Sequence, residues 1–245
     1  MKKIKVTLQH HTPLYISADG ARTCWSSQDK SDTCKHENYH EAQTEMCASE
    51  CLDCGSLYMD EIVIGPKDLA LIDRVGNQFH HASILEHISF NFFIDGISRA
   101  CLQELARHRI ASLSVKSSRY TLKELKSRIH DTTKESLVQW AQQSCVMTNN
   151  HAVNTAVGLQ LCTLQDILQQ GISNDEAKYC LPEAYRTQLT WTINMRSLQN
   201  FLSLRTDRTA LPEIQLLAHL IYEALPADAQ SLVAHCVKGI DDATV

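Results

Sequence analysis

The most informative stretch of the chain runs from Arg107 to Tyr120 and reads RHRIASLSVKSSRY. Its fourteen residues include three arginines, one lysine, one histidine, four serines and one tyrosine. A guanidinium fork matches phosphate oxygens, serine hydroxyls and backbone amides can complete the shell, and a tyrosine ring can stack on a base. The composition therefore suits a phosphate or nucleotide site. A solvated helix end explains the same charges, because cations near a helix C-terminus favour the helix dipole.

The residues before this stretch alternate in a way that predicts a strand followed by a helix. Apolar and polar side chains alternate over residues 88–94, which is strand periodicity. Asp95-Gly96 then predicts a turn, and Ser98 is suited to cap a helix that leads into Arg107. The basic cluster is thus expected at the C-terminal end of that helix.

The rest of the chain shows helix and strand patterns in irregular order. Residues 3–8 and 188–194 alternate and predict strands, whereas the apolar spacing after Pro66, including Phe79, predicts one buried helix face. Further helices are predicted across residues 133–171, with a break at Asn149-Asn150, and over a last helix from Ile214 to Leu225 that Pro226 stops. Without a glycine-rich βαβ opening, this order predicts an α+β fold and excludes a Rossmann crevice.

Composition and charge exclude several classes of protein. The chain has 245 residues, 27.6 kDa and a formal net charge of −5, so it lacks the basic field of a nucleic-acid binder. No stretch approaches the roughly 20 apolar residues of a membrane helix, and the opening Met1–Lys5 is not followed by an apolar signal core. We therefore expect a cytoplasmic protein that binds neither nucleic acid nor membrane and keeps its ten cysteines reduced.

Residues 27–60 interrupt these patterns with a polar, acidic segment rich in cysteine and histidine. We interpret it as an insertion within a single domain that spans residues 1–245. Thiolates at this spacing could hold zinc or an iron–sulfur cluster, whereas a flexible loop with reduced thiols is the simpler explanation. The expectation is no metal; the alternative metal site comprises Cys34, Cys47, Cys51 and Cys54.

A second polar set follows the strand pattern that ends near residue 194. Arg196 and Asn200 are four residues apart and share one helix face, with Arg205, Asp207 and Arg208 beyond them. Ordinary helix capping and an ion pair between Asp207 and a neighbouring arginine account for these residues without any ligand.

Four blocks together resemble one family. Arg107-His108-Arg109 followed after seven residues by Ser117 is similar to the RHR-x7-S signature of flavin-dependent thymidylate synthases. The blocks HASILEH at residues 81–87, Leu181-Pro182, and WTINMRSLQNFLSLR at 191–205 agree in the family's order. The resemblance covers most of the chain from Ile62 onward, with the opening strand and the Arg22–Trp25 turn, and leaves residues 27–60 uncovered.

The resemblance implies a fold, an assembly and a reaction. It implies a mixed sheet flanked by helices and a homotetramer whose active sites are shared between subunits. It also implies tightly bound FAD, with dUMP, methylene-tetrahydrofolate and NADPH as substrates. NADPH would reduce the flavin, the folate would supply the carbon, and hydride from the flavin would complete the methyl group of dTMP.

The resemblance also implies roles for individual residues. Residues similar to the family's FAD contacts are Ser83, Arg107, His108, Arg109, Asn194, Arg196 and Asn200. Residues similar to its dUMP contacts are Glu104, Arg107, Ser117, Ser118, Arg119, Lys178 and Arg205. Of these, Arg205 is the catalytic candidate, because a fixed cation beside the uracil ring would lower the pKa of N3 and polarise the ring. Ser117 has no base at triad-like spacing, so it is assigned to binding.

Several positions depart from the commoner family pattern. Glu104 stands where glutamine is usual, Lys178 where an arginine helps to hold phosphate, and Val115 where a glutamate often occurs. Thr209 and Leu211 replace a histidine and a glutamine. These departures leave two other hypotheses: a catalytically silent flavin- or nucleotide-binding protein, and a metal-clipped interaction module acting through residues 27–60.

Overall fold

One antiparallel sheet forms the centre of the fold. The computed structural model describes residues 3–33, 63–126 and 134–239. Its strands are Lys5–His11 (β1), Ser89–Ser98 (β2), Ala111–Val115 (β3) and Arg186–Asn194 (β4). They are arranged in the order β1-β2-β4-β3, with every neighbouring pair antiparallel.

The α+β prediction is confirmed, but the prediction of a mixed sheet is wrong for the described residues. Burial alternates strictly along β4, so one face of the strand is covered and the other is partly solvated. That pattern is typical of antiparallel sheets, since parallel strands are usually covered on both faces.

Helices of one to five turns surround the sheet. The α-helices of the described residues are Tyr15–Thr23 (α1), Pro66–Ile72 (α2), Arg99–Leu105 (α3), Ser118–Thr121 (α4), Lys123–Lys126 (α5), Lys134–Gln142 (α6), His151–Gln169 (α7), Asn174–Ala177 (α8), Met195–Arg205 (α9), Pro212–Glu223 (α10) and Ala227–Val233 (α11). Shorter 3-10 turns occur at Gln28–Lys30, Ala82–His87, Lys178–Cys180 and Ala234–Cys236, and Asp73–Gln78 is π-helical. None of the described helices is long and apolar enough to span a bilayer.

Aromatic rings connect the sheet to the start of the basic stretch. Phe92 of β2 lies opposite Trp191 of β4, with ring centroids 6.1 Å apart. Trp191 meets Phe201 of α9 edge-on at 5.0 Å, and Phe201 meets the ring of His108 at the same distance. Such edge-to-face contacts stabilise a core beyond simple burial. The core therefore holds α9 and His108, three residues after the end of α3, against the same sheet face.

A second buried cluster lies under α6 and α7. Leu137 and Trp140 of α6 pack with Leu161 and Leu164 of α7. Asn150 begins α7 by accepting hydrogen bonds from the amides of Ala152 and Val153. The predicted break at Asn149-Asn150 is thereby confirmed, since an asparagine cap starts a new helix.

Three local expectations differ from the structure. The predicted turn at Asp95-Gly96 is wrong, because β2 continues to Ser98 and the pairing register shifts between Asp95 and Ile97. Gly96 has φ of +95°, so this glycine forms a bulge that a residue with a side chain would adopt only with strain. Phe79 is 62% exposed because the regular helix ends at Ile72. The helix expected to be last is α10, and Pro226 precedes the further helix α11.

A buried polar cluster joins the two chain segments that flank residues 34–62. The guanidinium of Arg22 in α1 donates to Asp68 Oδ1 of α2 through Nε at 2.7 Å and Nη2 at 2.5 Å. The hydroxyls of Ser31 and Thr33 donate to Asp68 Oδ2 at 2.5 and 2.6 Å. We call these four residues the Asp68 cluster. Residues 27–33 of the predicted insertion therefore contribute to the packed structure.

Candidate functional site

Arg205 is the centre of the best-ordered group of predicted site residues. It is the last residue of α9, and its Nη1 donates to Glu104 Oε2 at 2.8 Å. Its Nη2 donates to the main-chain oxygen of Glu104 at 3.2 Å, and its Nε donates to Nε2 of His108 at 3.0 Å. The last turn of α3 and the residues after it thus hold the end of α9.

His108 acts within this group as a neutral hydrogen-bond acceptor. Its side chain is buried between Phe201 and Arg205. Burial, followed by the nearby charge of Arg205, lowers the pKa of His108 to about 4. The imidazole is therefore uncharged at neutral pH and can keep the lone pair that the arginine requires.

A second group lies where β4 passes into α9. Asn194 caps α9 by accepting a hydrogen bond from the amide of Ser197. Arg196 is exposed and its Nη1 donates to Glu86 Oε1 at 2.6 Å. Asn200 is exposed one helix turn further along. Ser83 is also exposed, in the 3-10 turn Ala82–His87 that packs against α9.

A third group follows β3. Arg119 is exposed and its Nε and Nη2 donate to the two carboxylate oxygens of Asp175, at 2.5 and 2.9 Å. Asn174 also donates through its side-chain amide to the main-chain oxygen of Arg119. Lys178 begins the 3-10 turn that follows α8, and α8 contacts α4, which starts at Ser118 directly after Ser117. This arrangement supplies hydroxyls and two cations at one end of the sheet.

The structure brings the predicted residues into groups but does not enclose them. Arg107 and Arg109 are exposed, as are Arg119, Arg196 and Asn200. Large apolar side chains close to these residues in sequence are also exposed to solvent: Ile110 is 72%, Tyr120 70% and Leu204 54% exposed. A cleft of about 430 Å³ is lined by other residues, including Asp73, Asn77, His80, Gln199 and His235.

Three residues in contact with these groups were not predicted. Glu86 pairs with Arg196, and Asp175 and Asn174 hold Arg119. Glu86 lies inside the HASILEH block, so the sequence offered a signal for it. Asp175 lies 56 residues from its partner, a distance at which only the folded structure identifies the pair. The expected ion pair of Asp207 is also with a different residue, since Lys238 Nζ contacts it at 2.7 Å.

The alternative metal site lies outside the residues that the structure describes. Cys34, Cys47, Cys51 and Cys54 all lie outside them. Within residues 3–33, 63–126 and 134–239, no group of three histidine, cysteine or acidic side chains is placed to hold a metal.

The chain is similar to known proteins over nearly its whole length. A family model described as thymidylate synthase complementing protein matches residues 7–229. The flavin-dependent thymidylate synthase of Wolinella succinogenes is 52% identical over 227 residues, covering 93% of this chain and 96% of the relative. The corresponding enzyme of Campylobacter jejuni is 46% identical over 234 residues, covering 96% and 98%.

A solved structure agrees with the sequence comparisons. The crystal structure of thymidylate synthase X from Helicobacter pylori with FAD and dUMP superposes with a TM-score of 0.80 at 42% identity. The match covers 97% of this chain and 100% of that chain. Sequence and fold therefore lead to the same family.

Proposed function

We propose residue roles for this chain from one premise: it belongs to the family of flavin-dependent thymidylate synthases. As a member, it is a flavin-dependent methyltransferase that converts dUMP to dTMP. The observation that carries the role assignment is the position of Arg205. Three of its five N–H groups are held by Glu104 and His108, which leaves two N–H groups without a partner among the described residues. A fixed, partly exposed guanidinium of this kind can meet a uracil ring and stabilise negative charge on it.

We propose that dUMP binds between Arg205 and the loop after β3. Ser117, Ser118, Arg119 and Lys178 would hold its phosphate, because hydroxyls and cations neutralise a dianion together. Glu104 lies at the Arg205 end of this site. Lysine at position 178 keeps the charge of the usual arginine but lacks its bidentate fork.

We propose that FAD binds a second set of polar side chains, most of which are exposed. Guanidinium and amide groups suit a diphosphate and the polar edge of a flavin ring, and this surface carries several of them. The proposed FAD set is Ser83, Arg107, His108, Arg109, Asn194, Arg196 and Asn200. When bound, the flavin supplies the redox chemistry, while the protein positions the ligands. We further propose NADPH as reductant, methylene-tetrahydrofolate as carbon donor, and a cytosolic location. The free thiols of Cys101, Cys162 and Cys236 suit that location.

The redox half of this proposal is testable in one cuvette. Purified protein supplied with FAD is expected to show oxidised flavin absorption, which bleaches when NADPH is added without oxygen in the presence of dUMP. Methylene-tetrahydrofolate is then expected to yield dTMP, detected by chromatography. A protein that never binds FAD would contradict the proposal. Flavin that bleaches with no dTMP formed would instead favour a catalytically silent flavoprotein.

We also propose a homotetramer with shared sites. The exposed cations and apolar side chains around Arg107, Ile110 and Tyr120 form a surface that one chain leaves open. Exposed apolar area of this kind marks an interaction surface. Sedimentation is expected to give about 110 kDa, for four chains of 27.6 kDa each. A fully active species of 27.6 kDa would refute the assembly.

A further inference from the structure

Glu104 contacts Arg205 at two points. Its carboxylate accepts from Nη1 at 2.8 Å, and its main-chain oxygen accepts from Nη2 at 3.2 Å. We propose that Glu104 is a positioning residue, which fixes the plane of the Arg205 guanidinium and offsets part of the positive charge that the uracil ring meets. This inference rests on the proposed function of Arg205.

The geometry fixes the guanidinium from three directions. Both contacts of Glu104 come from the last turn of α3, and the third contact comes from Nε2 of His108 at 3.0 Å. His108 is in turn fixed by burial against Phe201. A planar fork held at Nε, Nη1 and Nη2 cannot rotate without breaking a hydrogen bond. The two remaining N–H groups of Arg205 therefore have a defined direction.

Glu104 supplies the only carboxylate in direct contact with Arg205 among the described residues. The side chain of Glu104 is 38% exposed, whereas the side chain of Arg205 is 16% exposed, so the pair lies at the edge of the core. The other titratable groups nearby are His108, which is neutral, and Cys101 of α3, whose thiol burial keeps protonated. Glu213 of α10 faces Cys101 and is engaged by the amide and hydroxyl of Ser98. The charge at Arg205 is thus set mainly by Glu104.

The glutamine usual at this position would behave differently from Glu104. A glutamine oxygen can accept the same hydrogen bond but carries no charge. Glu104→Gln therefore separates the two parts of the proposal, since it keeps the contact and removes the anion. Glu104→Ala removes both the carboxylate contact and the charge, while its main-chain oxygen remains.

The test is a pH profile of dTMP formation for the holoenzyme and both variants. In Glu104→Gln, the full charge of Arg205 favours ionised uracil in the complex, so we expect the acid limb of kcat, which reports the enzyme–dUMP complex, to move down by about one pH unit. In Glu104→Ala, a loosened guanidinium is expected to lower kcat about tenfold or more. Glu183→Gln, on an exposed glutamate that contacts Gln103, is the matched control and is expected to leave the profile unchanged. Flavin absorption verifies that every variant retains cofactor.

A measurement without substrate separates this inference from the proposed function. Thermal unfolding of Glu104→Ala, Arg205→Ala and the double variant is expected to be non-additive, with little further loss when Glu104 is removed after Arg205. Additive shifts, or a Glu104→Ala enzyme with wild-type kcat and pH profile, would overturn the positioning role. A wild-type enzyme that makes no dTMP would contradict the proposed function, while the unfolding comparison would still decide the contact.

Discussion

Replacement of Arg205 by alanine is expected to lower the rate of dTMP formation by about 10²–10³-fold while FAD binding is retained. The guanidinium is the only proposed group that combines fixed orientation with two N–H groups left for the uracil ring. Its loss removes a cation where negative charge develops in the ring. Single-turnover formation of dTMP, followed beside flavin absorption, is the measurement.

Two further variants distinguish the chemistry of Arg205 from its structural contacts. Arg205→Lys keeps a positive charge but cannot hold His108 and Glu104 while presenting a planar fork, so an intermediate rate is expected. Arg74→Ala, at an exposed arginine of the π-helical segment, serves as control and is expected to turn over as wild type does. Full turnover by Arg205→Ala would refute the catalytic assignment.

The sequence predicted correctly those strands and helices in which the apolar residues of the repeating pattern are the residues that the fold buries. Leu189, Trp191 and Ile193 alternate with polar residues and face the core from β4. Ser98 caps α3 as expected, by accepting from the amide of Cys101. In both cases a local pattern and the tertiary environment demand the same conformation, which is why the pattern suffices.

Predictions from local patterns were wrong where the same short sequence is compatible with two backbone conformations. Asp95-Gly96 is typical of a turn, but Gly96 uses its positive φ for a bulge inside a strand that continues to Ser98. The helical spacing to Phe79 ignores the change to π-helical winding after Ile72, which rotates that side chain outward. Neither outcome has a separate local marker, so the tertiary pairing decides between them.

In the candidate site, the sequence likewise did not predict which charged side chains pair with each other. Motifs identified Arg205, Arg196 and Arg119, but not the carboxylates that hold them. The partner of Glu104 is Arg205, 101 residues away. An ion pair carries no sequence periodicity, so only the folded chain, which brings the end of α3 to the end of α9, identifies it.

The Asp68 cluster leads to the largest expected change in stability. Asp68 is fully buried, and Arg22 is 6% exposed. Burial raises the pKa of Asp68, but the hydrogen bonds from Ser31, Thr33 and Arg22 outweigh it and keep the pKa below its ordinary value. Asp68 is therefore ionised at neutral pH, and its stabilising contribution is lost only as the pH falls below 3.8 toward its lower folded-state pKa.

Removal of the Asp68 carboxylate leaves the buried guanidinium of Arg22 without its counter-ion. We expect Asp68→Ala to lower the free energy of unfolding by about 3–5 kcal/mol, because Arg22 would remain buried without a carboxylate and would keep only the main-chain oxygen of Ser27 as an acceptor. For a chain of this size the melting temperature would fall by on the order of 10 °C, measured by calorimetry of the holoenzyme. Asp32 holds the same region, accepting from the amides of Lys67 and Asp68, so α2 is expected to keep its start.

A double variant shows whether the unpaired charge is the cause. Arg22→Met combined with Asp68→Leu removes both charges and is expected to be more stable than Asp68→Ala, since no buried ion then lacks a partner. Asp207→Ala breaks an ion pair with Lys238 whose two side chains are 30% and 54% exposed, and is expected to change the melting temperature far less than Asp68→Ala does. If Asp68→Ala instead melted within a degree or two of wild type, the cluster would not anchor the segments that flank residues 34–62. Within the Asp68 cluster, the ion pair between Arg22 and Asp68 contributes more than the two hydroxyls to joining α1 to α2. Removing one partner of this pair leaves a buried charge without its counter-ion, whereas removing a hydroxyl does not.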